Sequence, residues 1–391
     1  MDRSSALCPY RSGKNPGTLL TVNKTVLDSC NTTGSPRFRW LSCNVGRRVI
    51  TVRELGGIVK IVSFFNHKGG VGKTTLIFNI GIALARAGRS ILFVDADPQA
   101  NLTSLALPAE RYQTVLDEKR DIYHALLPVI KTTGDIADVT PELIRDNVWI
   151  LPGHIRLSEF EGILPESWTS SLAGRYNGFQ QTTAIQRLIL STVEKIGCDF
   201  VLIDVGPSVG ALNRVILLGS DGFVVPLAPD LFSITALPSV GKSLTDWVSE
   251  WRIAREQADR TGISSDFVGS MLPGCPIPIG YISQQFASYR SAPTAAFKEW
   301  YHRIPATYDA EIPEKLSSLG IATPKPPGQL GTIRNLSSLV PRAQESNSAI
   351  FELSGAEARG AQYIRARDTF EDFSHLASAI ESRLEEALNV E

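Results

Sequence analysis

The run His67-Lys68-Gly69-Gly70-Val71-Gly72-Lys73-Thr74-Thr75 combines glycines with two lysines and two hydroxyls. Holding a polyphosphate takes several backbone N–H groups converging on one point, and glycines let the chain approach closely enough to supply them. A helix opening near Lys73 adds the positive end of its dipole. In such a loop Lys73 reaches the β- and γ-phosphates, and the Thr74 hydroxyl ligates Mg²⁺. The strict phosphate-loop pattern wants glycine where this chain has His67, so a literal search passes over it, and His67 itself reads as a loop filler. Two sets of carboxylates accompany the loop. Asp95 and Asp97 stand at the end of one apolar run, and Asp204 ends another, Phe200-Val201-Leu202-Ile203. An apolar strand closing on a carboxylate is the arrangement that supports Mg²⁺ through water.

These groups need elements that bring them together. Residues 59–65 (Val-Lys-Ile-Val-Ser-Phe-Phe) read as a buried strand. Residues 74–87 carry apolar side chains at helical spacing, at Leu76, Ile77, Ile80, Leu84 and Ala87, and Gly88 stops them. Residues 90–95 read as a second strand. Strand, helix and strand within about 35 residues make a βαβ unit and hence a parallel sheet. Further strands are expected at 148–151, 200–204, 223–226, 267–272 and near 336–340. Helices are expected at 183–196, 234–258 and, amphipathic, at 361–388. The economical architecture is an α/β fold with a doubly wound, mostly parallel sheet flanked by helices over residues 59–391.

The loop's early second lysine makes Lys-Gly-Gly-x-Gly-Lys-Thr-Thr, which resembles the deviant Walker A motif of the ParA/MinD superfamily of P-loop ATPases. In that family the early lysine reaches across a dimer to the partner's nucleotide; here it is Lys68. Asp95-Ala96-Asp97-Pro98-Gln99-Ala100-Asn101 resembles the family's D-x-D-P-Q-x-N segment. The resemblance implies that Asp97 positions or activates the attacking water and that Asp95 helps organise the magnesium shell. The segment ending in Asp204 resembles its Walker B strand. The family usually continues D-x-P-P-S, whereas this chain has Val205-Gly206-Pro207-Ser208, and Gly206 should loosen that segment. Residues 121–127 and 149–153 follow the family's middle section. Residues 223–230 look like the strand and loop approaching the nucleotide from the dimer side. Leu339-Val340-Pro341-Arg342 resembles its I-P-R-N segment near the adenine, with Ala343 in place of asparagine. The implied nucleotide contacts are therefore Lys68, Gly69, Gly70, Val71, Gly72, Lys73, Thr74, Thr75, Pro341 and Arg342, with Thr74, Asp95 and Asp204 around Mg²⁺.

Composition narrows the rest. Of 391 residues, 43% are hydrophobic and 20% charged, values of a globular chain with ample core. No apolar run approaches the roughly 18 residues that span a bilayer. The five cysteines (Cys8, Cys30, Cys43, Cys198, Cys275) are scattered, which fits neither a disulfide framework nor a zinc site, and Cys198 and Cys275 do not match the spacing of iron–sulfur relatives. Residues 1–58 hold nine basic and three acidic residues with no sustained strand or helix period, and read as a disordered or non-native leader. The remainder holds 30 basic and 37 acidic residues, so nucleic acid would have to meet a local patch. By resemblance to DNA-segregating members, the candidates are Arg334, Arg342, Arg359, Arg365 and Arg367. Residues 370–391 carry six acidic residues against Arg383, which argues against a MinD-like membrane helix. Residues at about 284–330, rich in proline and aromatics, read as an insertion that forms a small subdomain or lid.

The sequence thus predicts a cytoplasmic, ATP-dependent dimerising switch with ATP and Mg²⁺ as ligands. It would partition DNA or a large cargo through non-specific DNA binding, with a ParB-like partner that stimulates hydrolysis. The alternative is a regulatory or defence switch that recruits a protein and leaves DNA aside. A metabolic amidotransferase- or kinase-like ATPase on this fold would need a substrate site that the sequence does not display.

Overall fold

Parallel strands covered by helices on both faces read as unbroken apolar runs, because alternate side chains enter different cores. The computed structural model describes residues 38–42, 49–53, 57–228, 230–284, 295–334, 336 and 338–388. In it Ile61 enters one core while Val62 and Phe64 enter the other. Leu92 and Val94 likewise oppose Ile91 and Phe93, and Val201 and Ile203 oppose Phe200 and Leu202.

Among the described residues the order starts with β1 (Phe38–Ser42), β2 (Val49–Arg53), β3 (Gly57–Ile58), β4 (Lys60–Phe64), α1 (Lys73–Arg86), β5 (Ile91–Ala96), α2 (Asn101–Ala106), α3 (Ala109–Asp117) and α4 (Ile122–Ile130). It continues through β6 (Glu142–Arg145), β7 (Val148–Leu151), α5 (Leu157–Leu172), α6 (Tyr176–Thr182), α7 (Ala184–Ile196), β8 (Phe200–Val205), α8 (Ala211–Gly219) and β9 (Gly222–Leu227). It closes with α9 (Leu231–Thr261), β10 (Ile277–Gln284), α10 (Ala295–Glu311), α11 (Pro313–Ser318), β11 (Gln329–Ile333), α12 (Val340–Glu345) and α13 (Ala361–Leu388). The main sheet has eight strands in the order β11-β10-β9-β4-β8-β5-β7-β6. Every neighbouring pair is parallel except β6 with β7. Residues of α1, α2 and α13 fill one core (Leu76, Leu102, Phe373) and those of α4, α5, α7 and α9 the other (Leu126, Phe160, Leu188, Trp251). This is the doubly wound architecture expected. Strand β4 has β8 on one side and β9 on the other, so the winding reverses there, and ligands of such sheets bind at the carboxyl ends beside the reversal.

Several expectations are corrected. Residues 267–272 form no strand: Phe267 and Leu272 are buried, but the run turns at Gly269, at φ 81°. The strand falls instead at β10. Near 336–340 the described residues form no strand either. Val340 opens α12, where Pro341 suits a first helical turn, and the strand lies earlier, at β11. Within 1–58, β1 pairs antiparallel with β2, and β2 with β3, although no strand period was evident there. Residues 1–37 lie outside the described residues, as do Phe286, Tyr289 and Pro293 of the expected insertion. The described part of that insertion supplies α10, α11 and β11, and β11 is parallel to β10. Ile304, Tyr308, Ile312, Leu316 and Ile321 join the same core as Trp251, so this stretch packs as a crossover layer of the body. Among the described residues no helix is long and apolar enough to cross a membrane.

Candidate functional site

The loop leaves β4 under tight control. Phe65 N donates to Val224 O (2.9 Å), and Asn66 Nδ2 donates to Pro226 O (2.6 Å), which anchors the loop to β9. Asn66 Oδ1 accepts Lys68 N (3.0 Å) and so starts the turn. Gly70 (φ 74°) and Gly72 (φ 65°) adopt the left-handed conformation that other residues take at a cost. Gly72 is also the N-cap of α1, whose first-turn amides have no intrahelical acceptor. Lys73, 8% exposed, turns back so that its Nζ lies 3.3 Å from Asn66 O.

Three carboxylates gather beside this cradle, Asp95 on β5, Asp97 just after it and Asp204 on β8. Thr74 Oγ1 donates to Asp204 Oδ2 (2.6 Å), while Asp204 Oδ1 is buried with no hydrogen-bond partner. Asp95 stands opposite Asp204 in the β5–β8 register and is fully buried. Its Oδ2 accepts Thr103 N (2.7 Å) and Thr103 Oγ1 (2.6 Å), and its Oδ1 also lacks a partner. Thr103 Oγ1 accepts Gly153 N (2.8 Å) in turn. A Cβ at Gly153 would come within 2.9 Å of the Asp95 carboxyl carbon, so glycine there lets β7 close on Asp95. Asp97 Oδ1 accepts Gln99 N (3.0 Å), and the turn ends at Ala100, at φ 51°.

Burial dominates the electrostatics. It pushes Asp204 up to about 8, reinforced by Asp95 and opposed by the Thr74 hydrogen bond and Lys73. Burial likewise raises Asp95 to about 7, against its bonds from Thr103. Burial lowers Lys73 from the ordinary lysine value, against the pull of Asp204 and Asp97. These directions describe a site short of positive charge. A divalent cation beside Asp204 Oδ1 would supply it, and the donor set of a hydroxyl and a carboxylate with a free oxygen suits Mg²⁺.

A stability consequence follows. A carboxyl whose native value stands above its unfolded one loses stability as it ionises. Asp204 therefore costs nothing below the ordinary aspartate range, and its full penalty is present above about pH 8. Without nucleotide or Mg²⁺, Asp204→Asn should melt higher than the parent chain at about pH 8.5 by roughly 2 °C or more, with the gap closing toward about pH 4. Circular-dichroism melts in chelator measure this, and a gap independent of pH would contradict it.

The structure therefore brings Lys73, Thr74, Asp95, Asp97 and Asp204 into one site at the carboxyl end of the sheet. Lys68 is held within its own chain: its Nζ is ion-paired with Asp230 Oδ2 and lies 5.8 Å from the exposed Phe232 ring. Burial raises Asp230, but the Lys68 and Ser233 contacts outweigh it and hold the carboxyl below the ordinary value. Gly206 sits against Asp97, where an added Cβ would be 3.5 Å from Oδ1. The segment after it is not left loose: Asn213 Nδ2 donates to Gly206 O and Ser208 O, both at 2.7 Å. Pro341 and Arg342 lie on α12, which the Asn347 side chain ties to α2 through Ser104 O and Leu105 O. Arg342 Nη1 is bonded to Glu357 O. Arg334 is 3.9 Å from Asp372, and Arg359, Arg365 and Arg367 are exposed. Arg365 and Arg367 flank buried Ala366 on α13, so those two do not share a helix face. Asn66, Thr103, Gly153 and Asp230 are the site residues that sequence reasoning did not assign. Asp230 alone carried a local signal, an N-cap aspartate three residues before Ser233, whose N–H it accepts at 2.8 Å.

Residues 59–251 match the family described as AAA domain. The chain is 33% identical over 222 residues to the Thermus thermophilus protein named "Probable plasmid-partitioning protein ParA", covering 56% of this chain and 59% of that one. It is 29% identical over 179 residues to the sporulation initiation inhibitor protein Soj of Bacillus subtilis, covering 46% of this chain and 62% of that one. The matches thus span about three fifths of these curated relatives' lengths. Among solved structures, a Corynebacterium diphtheriae protein superimposes with a TM-score of 0.60 at 28% identity, over 74% of this chain and 97% of that one. The ATP complex of Cyanothece McdA shares the fold, with a TM-score of 0.51 at 17% identity over 84% of this chain and 98% of that one. The deviant phosphate loop, its carboxylates and these relatives together make the chain similar to the ParA/MinD superfamily, on its ParA/Soj-like side.

Proposed function

We propose that the chain is an ATP-dependent switch that hydrolyses ATP to ADP and phosphate, dimerises in its ATP state and partitions DNA or a large cargo. The observation that carries this reading is the Thr74–Asp204 pair, with its unpartnered buried oxygen, beside a buried Lys73 at the mouth of a glycine loop. Lys73 and the loop amides of residues 69–75 would bind the phosphates, and Thr74 and Asp204 would hold Mg²⁺, with Asp95 behind them. The cation would neutralise charge on the phosphate oxygens. Asp97 would orient the attacking water and accept its proton. Lys68 would leave Asp230 to reach the partner's nucleotide, so dimer formation exchanges an intrachain ion pair for a contact in trans. Pro341 and Arg342 would line the base side. Chemistry of this type is mostly positioning and charge neutralisation, so slow turnover still makes a usable timer.

A relative named for plasmid partition supports the partitioning task; a stimulating partner of the ParB kind and a place in the cytoplasm would go with it. The second reading, recruitment of a protein without DNA, is favoured by the acidic balance of residues 59–391 and by the divided setting of the arginines. A titration separates the two. Asp97→Ala protein with ATP should bind non-specific duplex DNA, with affinity falling steeply as salt rises, and ADP should abolish it. DNA binding absent at low salt with ATP would overturn the partitioning reading and leave the protein-recruiting one.

A further inference from the structure

We propose that Asp121, His124 and His154 form a binding site for a divalent transition-metal ion of the zinc class, separate from the nucleotide's Mg²⁺. Asp121 is fully buried at the N-cap of α4, where its Oδ1 accepts His124 N (3.0 Å). Its Oδ2 lies 2.7 Å from His124 Nδ1. That contact brings a carboxylate oxygen and an imidazole nitrogen to one point, where an ion would take the place of the hydrogen between them. His154 arrives from the loop that leaves β7. Its ring centroid is 5.2 Å from that of His124, with the planes at 88°. Two imidazoles on one tetrahedral ion, with metal–nitrogen bonds of about 2.0–2.1 Å, place their centroids about 5 Å apart. One donor atom from each of the three residues lies within 4.8 Å of the other two.

The rings are held without the ion. Tyr123 stacks on His154 (5.1 Å, 24°), its hydroxyl donates to Glu159 Oε2 (2.9 Å), and the Arg156 guanidinium packs 4.6 Å from the Tyr123 centroid. Two imidazoles and one carboxylate suit Zn²⁺, Co²⁺ or Ni²⁺, whereas Mg²⁺ and Ca²⁺ prefer oxygen alone. Three protein ligands leave a position for water. Binding costs one exposed hydrogen bond, since His154 Nδ1 accepts Arg156 N (3.0 Å), and it displaces the proton shared by His124 and Asp121. Gly153 lies next to His154, and Tyr112 Oη donates to its carbonyl (3.1 Å). The ion would therefore clip α4 to the strand end that packs on Asp95.

Calorimetric titration of ZnCl₂ into the metal-stripped full chain, without nucleotide, tests this. One equivalent should bind with proton release, and Co²⁺ should give the visible absorption of a tetrahedral site. His124→Ala and His154→Ala should each weaken Zn²⁺ binding by about 10-fold or more. Lys73→Ala should leave it unchanged, which separates this site from the phosphate loop. Failure of the unmutated chain to bind Zn²⁺, or stoichiometric binding retained when both histidines are replaced, would overturn the proposal.

Discussion

Replacing Lys73 with alanine is expected to lower ATP turnover by about 10²–10³-fold, the cost of removing one preorganised donor from a transition state with developing charge. Lys73 is the one lysine or arginine that is buried among the described residues, and Asp204 and Asp97 both act on it. Its loss removes phosphate neutralisation and also takes away the attraction that keeps Asp204 from rising further. The lost neutralisation weakens the hold on the phosphates, so affinity for ATP should fall along with turnover. Lys73 makes one long hydrogen bond, to Asn66 O at 3.3 Å, so its removal should leave the fold intact. Steady-state phosphate release, with circular dichroism as the folding control, measures this. A folded Lys73→Ala protein with parental turnover would contradict the assignment.

The second large effect is expected at Asp97, and it should separate turnover from binding. Asp97 is 7% exposed and lies across from Gly206, in the turn that starts α2. Alanine removes the carboxylate while keeping the turn's backbone bond from Ala100 N to Asp97 O (2.9 Å). Loss of a positioned base costs about 10²–10⁴-fold in the chemical step. Removing one negative charge beside Asp204 also lessens the repulsion that the site offers a polyphosphate, so ATP should bind at least as tightly as before. Single-turnover hydrolysis and a nucleotide titration on Asp97→Ala decide it. Turnover that is unchanged while KM rises would make Asp97 a ground-state binding residue.

The nucleotide half of the fold was legible because its physics is local. Strands β4, β5 and β8 are covered on both faces, so they read as apolar runs. The glycines of the loop have a backbone reason to be there, and each carboxylate closes its strand. Strand β10 was hidden for equally physical reasons. Pro278 and Gly280 interrupt its pattern, and they lie at the irregularity where its register with β9 shifts. Strand β11, Gln-Leu-Gly-Thr-Ile, is short, is interrupted by Gly331, and is held by its place beside β10. The Lys68–Asp230 pair joins residues 162 positions apart, and the Thr103–Gly153 bond spans 50, so spacing could not reveal either one. The crossover of α10 and α11 read as an insertion because prolines and aromatics dominate it; its buried face shows only once α9 is packed against it.

The most direct test of the account is the mass of the Asp97→Ala protein in solution with ATP and Mg²⁺, with ADP and Mg²⁺, and with neither. Light scattering coupled to size exclusion should show a dimer with ATP alone, and adding Lys68→Ala should return it to a monomer. A chain that stays monomeric with ATP bound, or a dimer indifferent to the nucleotide, would contradict the switch.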